Sequence, residues 1–213
     1  MNRLVRFLAS ALVVAGLASQ PATAALVLDL TTGGSPEVCG ANCGATSGAT
    51  FGWAFRVSSP ITVNGLGVWD HQANGLAVAG VRAGLWTAAG VLLASATITD
   101  ASTQVASAST NGEWLFEDIA PLTLAPGSYV IGSVFLPQVP VAQLDAPFVT
   151  IPQIAFAGGA GNFTANSGLA FPGTSFDPIF GPTLRLSTVP EPGTLALLGL
   201  GVAGMAAWRR RRQ

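Results

Sequence analysis

His71 is the only histidine of this 213-residue chain, and it stands in Trp69-Asp70-His71-Gln72. Catalysis through it would need a nucleophile within reach and a third group to orient the ring. The chain has no Gly-x-Ser-x-Gly elbow, and Ala73-Asn74-Gly75 follows His71 as a turn signal. His71 therefore reads as a solvated loop residue, and no Ser–His–Asp triad is expected. Paired carboxylates are the other catalytic option, because glycoside hydrolysis needs two at a set separation. Glu113 and Glu117 share one strand face about 13 Å apart by the strand rise, longer than either glycosidase spacing. With Asp118 they read as a solvent-facing edge. Asp70, Asp100 and Asp118 have the oxygen chemistry for Ca²⁺ at loop ends. No spaced Asp-x-Asp-x-Asp loop holds them, so Ca²⁺ stays an open alternative; no metal site or cofactor is assigned.

Four tryptophans, Trp53, Trp69, Trp86 and Trp114, fall in the central part of the chain. Aromatic faces stack on sugars, which makes a carbohydrate-binding module the alternative function. At alternating strand positions, however, tryptophan usually fills a core, because it buries a large apolar area. Trp69 and Trp86, each beside a turn, are the two expected at the surface and the candidates for glycan stacking.

The elements that must position these residues are strands. From Phe51 to Leu136 the apolar pattern has period two, punctuated by Gly, Pro, Asn and Asp, and no amphipathic helix emerges. Trp53, Phe55 and Val57 alternate with Ala54 and Arg56. The apolar phase shifts at Asn64-Gly65, which predicts a bulge. Thr87-Ala88-Ala89-Gly90 predicts a hairpin turn with glycine at a positive φ. Tyr129, Ile131, Ser133 and Phe135 alternate after Ala125-Pro126-Gly127. The stretch 137–182, with Ala157-Gly158-Gly159-Ala160-Gly161 at its centre, is expected to form long loops with one or two short strands near 148–156. Residues 183–187 read as a closing strand. Short strands with a turn signal every eight to twelve residues predict an all-β fold, an antiparallel jelly-roll-like β-sandwich over 25–188.

Both ends of the chain carry targeting signals. Arg3 and Arg6 precede an apolar stretch over 7–17, and Ala22-Thr23-Ala24 places small residues at cleavage spacing. Residues 1–24 thus read as a secretory signal peptide, rather than a membrane anchor, cut after Ala24. Its partners would be the Sec export machinery and signal peptidase. At the other end, the apolar run 194–208 would span about 22 Å as a helix, against a hydrocarbon core of about 30 Å. Trp208 suits the interface and arginine stems snorkel outward, so a short transmembrane helix through a thinned inner membrane is feasible. Arg209, Arg210, Arg211 and Arg212 hold their end on the cytoplasmic side, since positive clusters resist translocation. The body lies beyond that membrane by either signal. In an exported chain, Cys39-Gly-Ala-Asn-Cys43 reads as a small-loop disulfide, because only His71 could join the two cysteines in a zinc site. Closing so short a loop stabilises by about 2 kcal/mol at most.

The end over 189–213 resembles the PEP-CTERM sorting domain of Gram-negative bacteria. The likeness rests on Val189-Pro190-Glu191-Pro192-Gly193-Thr194, the apolar segment with Gly199, Gly201 and Gly204, and the arginine block. It implies recognition by an exosortase, a membrane-embedded transpeptidase-like enzyme acting near Pro190, Glu191 and Pro192, with delivery to a cell surface or matrix rich in exopolysaccharide. An ordinary C-terminal tail anchor is the alternative. Gly52-Trp53-Ala54-Phe55, Gly84-Leu85-Trp86, Gly90-Val91-Leu92-Leu93-Ala94-Ser95 and Leu124-Ala125-Pro126-Gly127-Ser128-Tyr129 resemble DUF4082-like secreted modules, whose molecular activity is unassigned. That likeness speaks for fold and location. A histidine those modules often carry before Gly-Leu-Trp is replaced here by Val81-Arg82-Ala83.

Composition narrows the function further. Between Asp29 and Glu191 the chain has three arginines against ten carboxylates, a net charge of −7, and it contains no lysine. Nucleic-acid binding needs a basic footprint, so that class is set aside. The expectation is an exported, non-enzymatic surface or matrix protein, with a carbohydrate-binding module as the alternative and a secreted hydrolase as a remote one.

Overall fold

A computed structural model describes residues 25–37, 48–76, 78–135, 142–162 and 168–187. The signal segment, Cys39, Cys43 and the sorting end with its expected transmembrane helix lie outside the described residues. The described chain is all-β and antiparallel, as expected. Its strands begin with β1 (Leu28–Leu30), β2 (Ser35–Glu37), β3 (Ala49–Val57), β4 (Ile61–His71) and β5 (Val81–Thr87). There follow β6 (Leu92–Ile98), β7 (Thr103–Ala106), β8 (Gly112–Leu124), β9 (Gly127–Phe135) and β10 (Ala142–Leu144). The last are β11 (Phe148–Thr150), β12 (Ile154–Asn162), β13 (Thr174–Phe176), β14 (Ile179–Phe180) and β15 (Pro182–Leu186). No helix long and apolar enough to cross a membrane occurs among the described residues.

Two sheets form the sandwich, ordered β13-β12-β3-β9-β5-β6 and β15-β4-β8-β7. The turn at 58–60 carries the chain from β3 in one sheet to β4 in the other, and 125–126 carries it from β8 back to β9. Since β3 pairs with β9 and β4 with β8, two long hairpin arms roll together, the jelly-roll-like arrangement. Two small sheets, β1-β11 and β14-β10-β2, accompany them.

Period-two alternation sends Trp53 and Phe55 of β3, Leu85 of β5 and Ile131 of β9 into one core, all 0 % exposed. Trp53 also donates from Nε1 to Pro182 O at 2.8 Å, so its polar edge is satisfied inside. The bulge falls where the sequence phase slips, with the β4–β8 register shifting between Val63 and Gly65. The β5–β6 hairpin closes as predicted: Thr87 N donates to Val91 O at 2.9 Å, and Gly90 has φ 84°.

The glycine-rich stretch is a correction. Instead of a loop, Ala157-Gly158-Gly159-Ala160-Gly161 lies within β12, paired with β3 from Ile154↔Val57 to Asn162↔Thr50. The extra residue between Phe156 and Gly158 is absorbed as a register shift, with Gly158 at φ 127°. Glycine is poor in an isolated strand, yet here it is required: a Cβ on Gly159 would sit 2.4 Å from Phe176 O.

Candidate functional site

The closing strand β15 is where sequence signals and fold meet. Pro182 opens it, a position where a missing N–H is tolerated. On one side β15 pairs with β4 from Pro182↔Val68 to Leu186↔Val63, and Ser187 N donates to Thr62 O at 2.8 Å. On the other side the first described residues run along it. Val27 N donates to Leu184 O at 2.8 Å, and Leu186 N donates to Ala25 O at 2.9 Å. Buried Thr183 ties the two segments again, its Oγ1 donating to Leu28 O at 2.7 Å and accepting from Leu28 N at 3.3 Å. The chain thus enters and leaves at the same end of the sandwich.

Arg185 steadies this strand from the outer face. Its Nε donates to Asn64 Oδ1 at 3.1 Å, and its guanidinium lies 5.5 Å from the centre of the Phe116 ring. It also pairs with Asp118, whose carboxylate is exposed, so the ion pair itself adds little. Beside β15 a shallow groove of about 220 Å³ is lined by Pro60, Ile61, Thr62, Ile151, Gln153, Leu186 and Ser187. The groove carries no charge.

Asp70, His71, Asp100 and Glu113 lie toward the opposite end, and the fold separates them from the other residues with potential chemistry. Asp118, held by Arg185, is remote from Asp70 and Asp100, so the three carboxylates read together for Ca²⁺ are not brought together. Among the described residues no three His, Cys, Asp or Glu side chains form a metal-holding group. Asp70 and Asp100 instead clamp one turn: Asp70 Oδ2 accepts from Gly75 N at 3.1 Å, and Asp100 Oδ1 accepts from Leu76 N at 2.7 Å. Asp70 is 2 % exposed, and its Oδ1 has no partner among the described residues. Burial raises its pKa above the ordinary 3.8, the Gly75 and Asn74 amides oppose that, and the Asp100 charge adds to it. Glu113, opposite Asp70 across β4 and β8, is also raised, first by burial and then by the Asp70 charge. Glu117, by contrast, is exposed and accepts from Ser102 Oγ at 2.9 Å.

His71 is also a correction. It is no solvated loop residue but the last residue of β4, half-buried, with Nδ1 2.9 Å from Gln143 Nε2 of β10. Its partner lies 72 positions away, beyond the reach of local sequence reading.

Trp69 and Trp86, expected at the surface, are 0 % and 4 % exposed. Trp69 stands edge-on to Trp114 at 5.1 Å, over Gly112, where a Cβ would come within 2.7 Å of its ring. Trp86 lies over Gly84 and is covered by Phe171 at 6.3 Å. Thr50 holds that cover, donating from Oγ1 to Gly168 O and accepting from Ala170 N. Both tryptophans do flank turns, but cover arrives from distant segments, and neither offers a face for a sugar. Sequence reasoning also missed Asp29, whose carboxylate accepts from Leu30 N, Ser107 Oγ, Ala108 N and Trp114 Nε1. No local pattern marks such a knot.

The PEP-CTERM protein-sorting motif matches residues 188–212, starting two positions after Leu186, the last residue of β15. No curated protein and no solved structure matches the chain. The motif implies export, a membrane-anchored sorting signal, and an exosortase as the processing partner.

Proposed function

We propose that this chain is an exosortase substrate whose β-sandwich serves as a structural or interaction module in an exopolysaccharide-rich surface or matrix layer, without enzymatic activity. Its body belongs, on this reading, with the DUF4082-like secreted modules. The Sec machinery exports it, signal peptidase cuts after Ala24, and the tail holds the body outside the inner membrane until the exosortase acts near Pro190-Glu191-Pro192. The carrying observation is the sorting motif at 188–212, which begins where β15 and its neighbours end. The carbohydrate-binding alternative loses its two candidate residues to the core.

The test is expression of the full chain in a bacterium with and without its exosortase. Wild type shortens and leaves the inner-membrane fraction only when the enzyme is present. Replacing Pro190, Glu191 and Pro192 with alanine keeps the longer, membrane-bound form. Identical size and location in all these cells would defeat the proposal.

A further inference from the structure

The ends of the long strands differ in charge. At the end where the chain enters and leaves lie the turns 58–60, 88–90, 125–126 and 152–153, brought together by Val57↔Gly127, Ile61↔Leu124 and Thr87↔Tyr129. None carries a carboxylate, and Arg56 is the only charged residue near them among the described residues. The other end lies about 33 Å away by the rise of the eleven-residue β4. There Asp70, Asp100 and Glu113 border the turns. The carboxylate-free end also exposes apolar side chains: Val91 is 60 % and Leu92 49 % exposed where the 88–90 turn enters β6. Of the four large apolar side chains exposed among the described residues these two are adjacent, while Val149 and Phe176 lie on β11 and β13.

Resting on the anchored-tail reading above, we infer that this end is a lipid-contact surface, seated on the outer leaflet of the membrane while the tail is uncut. Six residues, 188–193, separate Ser187 from the apolar run, and fully extended they reach about 20 Å. The tether therefore starts at the end in question and keeps it close to the lipid. Wherever the headgroups are anionic they repel the carboxylate end within a Debye length and tolerate this one, while Val91 and Leu92 reach the headgroup–acyl boundary as interfacial apolar residues do.

The test reconstitutes the full chain into vesicles of phosphatidylethanolamine and phosphatidylglycerol, with and without bromine on the acyl chains. Trp53, Trp69, Trp86 and Trp114 are buried, so wild-type quenching beyond that of Trp208→Phe reports tail insertion. In the Trp208→Phe background, Val91→Trp should lose emission in brominated vesicles, and Asn74→Trp, at the far end, should not. Trp208 quenched while Val91→Trp and Asn74→Trp behave alike overturns the lipid-contact surface and leaves the anchored tail standing. A face used only by a membrane protein gives that same result. Trp208 unquenched removes the anchored tail and the inference with it.

Discussion

At the residue scale, Gly84 shows how the sheet makes room for a tryptophan. Gly52, Gly132 and Gly84 are in register across β3, β9 and β5, a row without side chains, and the Trp86 ring lies over the last of them, Gly84. A Cβ on Gly84 would stand 2.6 Å from Trp86 Cη2, and Phe171 blocks the ring's retreat. Gly84→Ala should therefore destabilise the purified chain by about 1–3 kcal/mol, the range of overpacked cores. Gly127→Ala, with nothing closer than 3.6 Å, should be nearly neutral; urea midpoints at unchanged slope make the comparison. Asp70 poses a different problem, a carboxylate inside the fold with one oxygen unpartnered among the described residues. Its folded pKa lies above the unfolded one, so the folded state binds its proton more tightly. Stability from this group is then fully present below about pH 4 and declines as pH rises through the folded value. Wild type should gain thermal stability on acidification from neutral pH toward pH 4. Asp70→Asn should show a shallower gain, since it also removes the charge that raises Glu113. An equal slope in both proteins would contradict this account.

At the element scale, the first and last described segments hold each other. Thr183 is the clearest link, because its single hydroxyl serves both backbone groups of Leu28. Thr183→Val keeps the volume and strands a buried carbonyl, so a loss of about 1–3 kcal/mol is expected. Hydrogen exchange should localise the damage to the amides of Val27 and Leu186, which pair across the same seam. This seam also marks how far the sequence could be read. Strands β3, β4, β5, β8 and β9 were legible because each alternates under its own turn signals, and the Asn64-Gly65 bulge showed in the phase of the side chains. β12 was not, because its glycines earn strand geometry only from β3 and β13 on either side. The tryptophans were legible as strand residues but not as buried ones. Trp86 is covered by residues 168–173, and Trp69 by partners on other strands, so turn proximity misjudged both. His71 failed in the same way, through Gln143. The sorting tail, a contiguous signal, needed no fold at all.

At the scale of the whole molecule, sorting and charge act together on where the body can settle. On the proposed function, cutting the tail delivers a body with three cations against ten carboxylates between Asp29 and Glu191 to a layer of extracellular polymer. If that polymer is anionic, the two repel over a distance set by the Debye length, about 30 Å at 0.01 M salt and about 10 Å at 0.1 M. A nucleic-acid-type or polycation-type binder would be eluted by salt; this body should behave oppositely. Retention of the processed protein on anionic exopolysaccharide should rise between those two salt concentrations, as screening lets short-range contacts form. Arg56, Arg82 and Arg185 are too few and too scattered over β3, β5 and β15 to reverse that sign, and Arg185 is already engaged by Asp118. On a neutral glycan, retention should be insensitive to salt. Elution from the anionic polymer by added salt would mean that a local cationic patch, not the overall charge, governs attachment, and the structural role would then have to be built around those three arginines.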